Sequence, residues 1–144
     1  METRLIAASD APALAALHGE SFAAAAWNLA QIGQSFALPT TRGWLASESG
    51  QPIGFLLCQI SGGESEILTF CVASSARRKG AGRALLAAAM EEARAKGACR
   101  MFLEVASDNL AAASLYEKAG FRVTGRRAAY YRSGADAVMY ALDL

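Results

Sequence analysis

Six consecutive residues, Arg77-Arg78-Lys79-Gly80-Ala81-Gly82, join positive charge to two positions without a side chain, just ahead of Arg83 and a long run with an apolar stripe. Glycine lets the main chain approach a ligand closely, and free amides at a helix start point the same way, so this turn has the chemistry of an anion cradle. A diphosphate is the expected guest. The spacing R-x-x-G-x-G matches neither the G-x-x-x-x-G-K-[ST] of a phosphate-binding loop nor the G-x-G-x-x-G of a dinucleotide fold, which argues against nucleotide hydrolysis and hydride transfer. A second signal is Glu104, a carboxylate near the end of the otherwise apolar run Arg100 to Val105. A charge there is costly unless it faces an open cleft or meets an ion partner at the edge.

These residues need elements to hold them. The chain has 33 alanines, which raise helix propensity broadly, so the larger apolar residues must set the periodicity. Met1 to Ala7 reads as a short strand. Ser9-Asp10 and Pro12 start a helix carrying Leu14, Leu17 and Phe22, and Asn28 caps a second with Leu29, Ile32 and Phe36, which Pro39 ends. Thr41 to Glu48 and Ile53 to Ser61 flank Ser49-Gly50-Gln51-Pro52 as an antiparallel hairpin, and after Gly62-Gly63 a third strand runs from Glu66 to Val72. The basic turn follows, then a helix from Arg83 whose Leu85, Leu86, Ala89, Met90 and Ala93 form the apolar face, closed by Gly97. Arg100 to Val105 is a strand, Leu110 to Lys118 a helix capped by Ser107-Asp108-Asn109 and closed by Gly120, and Phe121 to Arg127 and Ala137 to Leu142 are strands around Tyr130-Tyr131. The order is β-α-α-β-β-β-α-β-α-β-β, with no internal repeat and no linker, so residues 1–144 are expected to form one α/β domain.

Fourteen Lys and Arg against thirteen Asp and Glu give a net charge of +1, so no global field gathers nucleic acid or a membrane surface, and any anion site is local. No apolar run is long enough for a membrane helix, and the first residues lack a signal-peptide stretch; a soluble cytoplasmic protein is expected. Cys58, Cys71 and Cys99 are odd in number and set among apolar neighbours, as buried reduced thiols are. With one histidine, His18, and no CxxC, no metal is expected. His18 reads as a partly buried helix side chain, with a Cys-His nucleophile pair as the poorly supported alternative.

The strand, the turn Arg77-x-x-Gly80-x-Gly82 and the following Arg83-Ala84-Leu85-Leu86 together resemble the acetyl-CoA signature of the GCN5-related N-acetyltransferase family. A second block, Leu103-Glu104-Val105, Asn109, then Ala113-Ser114-Leu115-Tyr116-Glu117-Lys118-Ala119-Gly120-Phe121, is similar to that family's L-E-V…N…A-x-x-L-Y-x-x-x-G-F segment. The resemblance spans about residues 67 to 127 and implies a mixed, mostly antiparallel sheet of about seven strands flanked by about four helices. It also implies acetyl-CoA as co-substrate. Within the family the chain looks most like the branch that acetylates the N-terminal alanine of a small-subunit ribosomal protein, on Glu104 together with Arg126-Arg127-x-x-Tyr130-Tyr131 and Asp136-Ala137-x-Met139-x-Ala141-Leu142. Two departures fall where substrate should sit: Ala23-Ala24-Ala25-Ala26-Trp27 stands where a Pro-Trp pair is usual, and Arg132 follows the tyrosine pair where proline is common.

Acetyl transfer to an amine asks for a base and an acid on opposite sides of the thioester carbonyl. Glu104 is the candidate base and Tyr116 the candidate acid; the structural alternatives are an ion-paired edge glutamate and a core tyrosine with a satisfied hydroxyl. By resemblance, Phe70, Cys71 and Val72 offer main chain to the pantetheine arm, Arg77, Arg78, Lys79, Gly80, Ala81, Gly82 and Arg83 hold the diphosphate, and Asn109 touches the cofactor or simply caps its helix. Trp27, Tyr130 and Tyr131 are candidates to wall the acceptor cleft, the tyrosines being otherwise strand-edge aromatics. The expected acceptor is a protein N-terminus, most simply of a ribosomal protein, since an α-amine needs less help from a base than lysine does. A small amine as acceptor, or a non-catalytic acetyl-CoA-binding module, are the alternatives.

Overall fold

The structure, a computed structural model, describes residues 1–22, 29–77 and 79–144. Four helices, α1 (Ala11–Phe22), α2 (Leu29–Phe36), α3 (Ala81–Ala95) and α4 (Leu110–Lys118), flank one sheet built from β1 (Glu2–Leu5), β2 (Thr41–Glu48), β3 (Gln51–Ser61), β4 (Glu64–Val72), β5 (Arg100–Ala106), β6 (Arg122–Arg127) and β7 (Ala137–Asp143). The sheet order is β1-β2-β3-β4-β5-β7-β6. Every neighbouring pair is antiparallel except β4 with β5, which α3 joins as a crossover. The element order and the mixed, mostly antiparallel sheet agree with the sequence reading. Among the described residues, no helix is long and apolar enough to cross a membrane.

Two irregularities in β4 position everything that follows. First, β4 and β5 pair only at Glu64 with Arg100, Ser65 with Met101 and Glu66 with Phe102; from Ile67 to Val72, β4 has no partner on that side. The two strands part, and the main-chain groups of β4 that would have bonded β5 face a cleft. Second, Leu57 pairs with Thr69 while the next β3 residue, Cys58, pairs with Ile67, so Leu68 is an extra residue in a bulge. Residues directly opposite share a face, so the bulge puts Glu66 on the same face as Thr69 and Cys71, and Phe70 and Val72 on the other.

The helices cover those two faces. On one, the buried His18 of α1 lies 3.0 Å from Thr69 Oγ1 and tilts against Phe55. On the other, α3 packs through Leu85, Leu86, Ala89 and Ala93, the apolar face expected from the sequence, with Met90 only partly covered. Full burial of each leucine is worth about 1.5–3 kcal/mol relative to leaving it exposed. The start of α3 lies two residues earlier than the sequence pattern suggests. Gly80, at φ 87°, is its N-cap, so Ala81 and Gly82 fall within the first turn.

Two thiols are buried as expected, and burial pushes both Cys58 and Cys71 up to about 12. Cys99 departs from that expectation. It is exposed, because after Gly97 (φ 85°) the chain turns into β5 with Ala98 taking the buried place.

Candidate active site

β4 parts from β5 after Glu66, and the two candidate reactive side chains stand on opposite faces of the sheet. Glu104 shares its face with Phe102 and therefore with Glu66, the face that α1 covers. Tyr116, on α4, lies on the other face, its ring 6.2 Å from Phe70, 5.6 Å from Phe121 and 5.9 Å from Tyr140. Only 5% of Tyr116 is exposed, and burial pushes its phenol well above the ordinary tyrosine range. Its hydroxyl has no hydrogen-bond partner among the described residues, and it is not among their fully enclosed polar atoms, of which Thr41 Oγ1 alone lacks a partner. The hydroxyl is thus not satisfied by a partner among the described residues, where the alternative of a core tyrosine expects one.

Glu104 has a partner. Arg127 Nη2 lies 3.7 Å from Glu104 Oε1, and its guanidinium also sits 5.4 Å from the centre of the Tyr130 ring. The sequence alternative of an ion-paired edge glutamate is thus present geometrically, but the pair is loose and both side chains reach solvent, so it is worth well under the strength of a buried bridge. Tyr131 stands close enough to feel Glu104; burial first, then the charges of Glu104 and Tyr130, push its phenol up. Tyr130 and Tyr131 meet edge to face at 5.2 Å. They lie in the loop between β6 and β7 and not on a strand edge, and Asp136 fastens that loop. Its Oδ1 accepts from the Ala129 amide at 2.9 Å, its carboxylate pairs with Arg126 at 3.1 Å, and its main chain exchanges hydrogen bonds with Ser107 beyond β5.

At the other end of the cleft, the first turn of α3 presents the amides of Ala81, Gly82 and Arg83. Gly80 caps the helix without a side-chain oxygen, so those donors stay open. The two glycines serve different needs. Gly80 needs none of its neighbours' space but holds a left-handed backbone. At Gly82 a Cβ would stand 3.2 Å from Leu115 Cδ2, 3.7 Å from Phe70 Cζ and 3.8 Å from Val72 Cγ2, filling a cradle between β4 and α4. Arg77, Lys79 and Arg83 are exposed around this turn; Arg77 Nε reaches the Val72 carbonyl at 3.4 Å, and Lys79 lies 4.0 Å from Glu48. Open first-turn amides and surrounding cations fit a diphosphate, and the side-chain-free Gly82 lets the helix start pack close to Leu115, Phe70 and Val72. An open groove of about 580 Å³ continues from Arg83 along α3 past Met90 to Arg94, walled by Leu115 and Lys118, and holds neither Glu104 nor Tyr116.

The remaining expectations distribute as follows. The Cys71 thiol lies on the α1 face, away from Phe70 and Val72. Asn109 caps α4, accepting from the Ala112 amide at 3.2 Å. His18 sits on the α1 face, buried and held with its pKa lowered by that burial, among Phe22, Phe55 and Thr69. Trp27, Asn28 and Arg78 lie outside the described residues. The sequence reading passed over Glu66, whose side chain shares the Glu104 face; only the three-pair contact of β4 with β5 and the bulge at Leu68 reveal that.

Residues 11–121 match the model of the acetyltransferase (GNAT) family. The chain belongs to this family. It is 32% identical over 101 residues, 68% of each chain, to the [ribosomal protein bS18]-alanine N-acetyltransferase of Escherichia coli K12. It is 41% identical over 81 residues, 56% of this chain and 49% of the other, to the N-alpha-acetyltransferase RimI of Mycobacterium tuberculosis. The crystal structure of the ribosomal-protein-S18-alanine N-acetyltransferase from Escherichia coli superposes with a TM-score of 0.85 at 27% identity, covering 99% of this chain and 94% of that one. The GNAT fold uses acetyl-CoA, and the chain is an acetyl-CoA-dependent N-acetyltransferase.

Proposed function

We propose that the chain, residues 1–144 acting as one domain in the cytoplasm, transfers the acetyl group of acetyl-CoA to the N-terminal α-amine of a protein, most simply the N-terminal alanine of a small-subunit ribosomal protein. The observation that carries this reading is the placement of Glu104 and Tyr116 on opposite faces of the sheet, either side of the gap between β4 and β5. Acetyl-CoA supplies the thioester carbonyl; the new N–C bond forms as the C–S bond breaks, nitrogen losing a proton and sulfur gaining one. Glu104 takes the proton from the amine, directly or through water, with Arg127 paired loosely beside it. Tyr116, kept protonated by burial, donates its O–H to the sulfur as charge develops there. The amides of Ala81, Gly82 and Arg83 and the cations at Arg77, Arg78, Lys79 and Arg83 hold the diphosphate, and the edge of β4 at Phe70, Cys71 and Val72 receives the pantetheine arm.

An α-amine titrates near 7.7–8.0 against about 10.4 for lysine, so a weak carboxylate base suffices for an N-terminus. The names of the two relatives agree with that acceptor. The tyrosine pair supplies an aromatic wall for a peptide. A small polycationic amine is the second reading, favoured by one observation: Glu66 joins Glu104 on the acceptor face.

One assay separates the readings. The enzyme is incubated with acetyl-CoA and, in turn, an alanine-initiated ribosomal peptide, the same peptide blocked at its N-terminus but carrying lysine, and a polyamine, with thiol release and mass gain recorded. The peptide with the free alanine is expected to gain one acetyl group at least tenfold faster than the others. Faster turnover of the polyamine would assign a small-amine acceptor, and no transfer to any amine would leave a binding module.

A further inference from the structure

Past Glu66, β4 is held edge to edge by β3 alone, because its pairs with β5 have ended. Between its end at Val72 and the N-cap Gly80 comes one tight helical turn, Ser74–Ala76, and then the basic residues. The N-cap of that turn is Ala73, which has no side-chain oxygen to offer, so the first amide of the turn needs an acceptor from elsewhere. Glu20 supplies it. From α1, 54 residues away along the chain, its Oε1 accepts from the Ser74 amide and from the Ser74 hydroxyl, each at 3.2 Å. Two residues earlier on α1, His18 meets Thr69 on the stretch of β4 that has left β5, so one helix grips both the parted strand and the turn after it. Hydrogen bonds carry that grip onward: the Ala76 amide donates to the Ala73 carbonyl at 2.9 Å, the Arg77 amide to the Ser74 carbonyl at 3.5 Å, and Arg77 Nε to the Val72 carbonyl at 3.4 Å. The reaction as described gives Glu20 no task. Its negative charge adds nothing to holding an anion, so the bonds to Ser74 are what it contributes.

We propose that Glu20 is a positioning residue for the cofactor: by capping the Ser74–Ala76 turn from α1, it fixes where Arg77 and the first-turn amides of α3 stand relative to β4, and so sets the affinity for acetyl-CoA. The inference rests on the reading that the start of α3 holds the diphosphate. That ligand engages two pieces of main chain at once, the turn through its diphosphate and the edge of β4 through its pantetheine arm. A turn released from α1 would keep both pieces and lose their alignment, and the alignment would then have to be restored on binding. A thioester without a diphosphate never reads the turn, so it is indifferent to the cap. The two bonds need an acceptor oxygen and not a charge, which glutamine also provides.

The test compares wild type with Glu20→Ala and Glu20→Gln in steady-state assays of thiol release on the intact enzyme. Each protein is given acetyl-CoA and, separately, S-acetylpantetheine, which lacks the diphosphate, with the amine that wild type acetylates fastest. In Glu20→Ala the acetyl-CoA KM is expected to rise about fivefold, with kcat and the acceptor KM within about twofold of wild type. Its kcat/KM for S-acetylpantetheine should be unchanged, and its Tm should stay within about 2 °C of wild type, since the bonds lost are exposed ones. Glu20→Gln should match wild type throughout. An unchanged acetyl-CoA KM in Glu20→Ala, a Gln variant no better than Ala, or an equal loss with both thioesters beside a Tm drop of several degrees would each overturn the proposal. If wild type uses acetyl-CoA no better than S-acetylpantetheine, the diphosphate reading fails on its own and the role of Glu20 falls with it; if wild type prefers acetyl-CoA and Glu20→Ala keeps that preference in full, only the role of Glu20 falls.

Discussion

The two side chains that flank the gap differ in how their surroundings prepare them. Tyr116 is packed by three aromatic rings, so its position is fixed by shape and does not depend on its hydroxyl. Tyr116→Phe keeps that packing; its Tm should stay within about 2 °C of wild type while turnover falls about 10²-fold. Glu104 is held only by a loose pair with Arg127, so Glu104→Gln should also fold normally, lose about 10²-fold in turnover and leave the acetyl-CoA KM nearly unchanged. Steady-state kinetics beside a thermal melt check both; a Tm drop matching the activity loss would mark either residue as structural. Glu104 was legible in the sequence because a carboxylate on an apolar strand needs a reason. Its partner was not, because Arg127 reaches it only through β7, whose register no local pattern reports. Glu66 was not legible either: Glu64-Ser65-Glu66 reads as the wet start of a strand until its pairing is known.

At the scale of elements, the turn between β4 and α3 depends on one backbone conformation. Gly80 at φ 87° ends the turn and starts the helix, and an alanine there pays for a left-handed residue. Gly80→Ala should cost about 1 kcal/mol, a Tm loss of about 3 °C, and should raise the acetyl-CoA KM several-fold as the first-turn amides shift; a melt and an acetyl-CoA titration read the two effects. An unaltered KM would separate this turn from the diphosphate. The sequence showed the order of every strand and helix, since hydrophobic periods of 2 and 3.6 and the glycine stops are local signals. It missed the bulge at Leu68, because one extra residue in a strand leaves the apolar alternation almost intact while reversing which face each later side chain takes. The start of α3 was misplaced by two residues for a related reason: Gly82 looks like a turn residue, and only its contact with Leu115 shows it inside the helix.

Across the whole molecule, charge is local. With a net charge of +1, the basic turn and the carboxylates at the gap are separate features of an otherwise balanced surface. The first strand is tied to the rest by such a local pair. Arg4 donates to both oxygens of Asp10 at 2.7 and 2.8 Å, and the Ala7 amide donates to the same carboxylate at 2.8 Å. The hydrogen bond from Arg4 leads in holding the Asp10 carboxyl at about 2, against an ordinary 3.8. A carboxyl depressed by folding stabilises above its unfolded pKa, and that stabilisation is lost as pH falls through the folded value. Asp10→Asn should therefore melt below wild type at pH 7, with the gap closing between about pH 4 and pH 2; melts across that range decide it, and a gap independent of pH would assign the loss to something other than this charge.

The placement of the thioester between the two faces is tested most directly by a crystal structure with coenzyme A bound. The sulfur is predicted to lie in the gap between β4 and β5, within about 3.5 Å of the Tyr116 hydroxyl and on the opposite side from Glu104, with the diphosphate on the amides of Ala81, Gly82 and Arg83. A sulfur outside that gap, or a diphosphate held away from the start of α3, would contradict it.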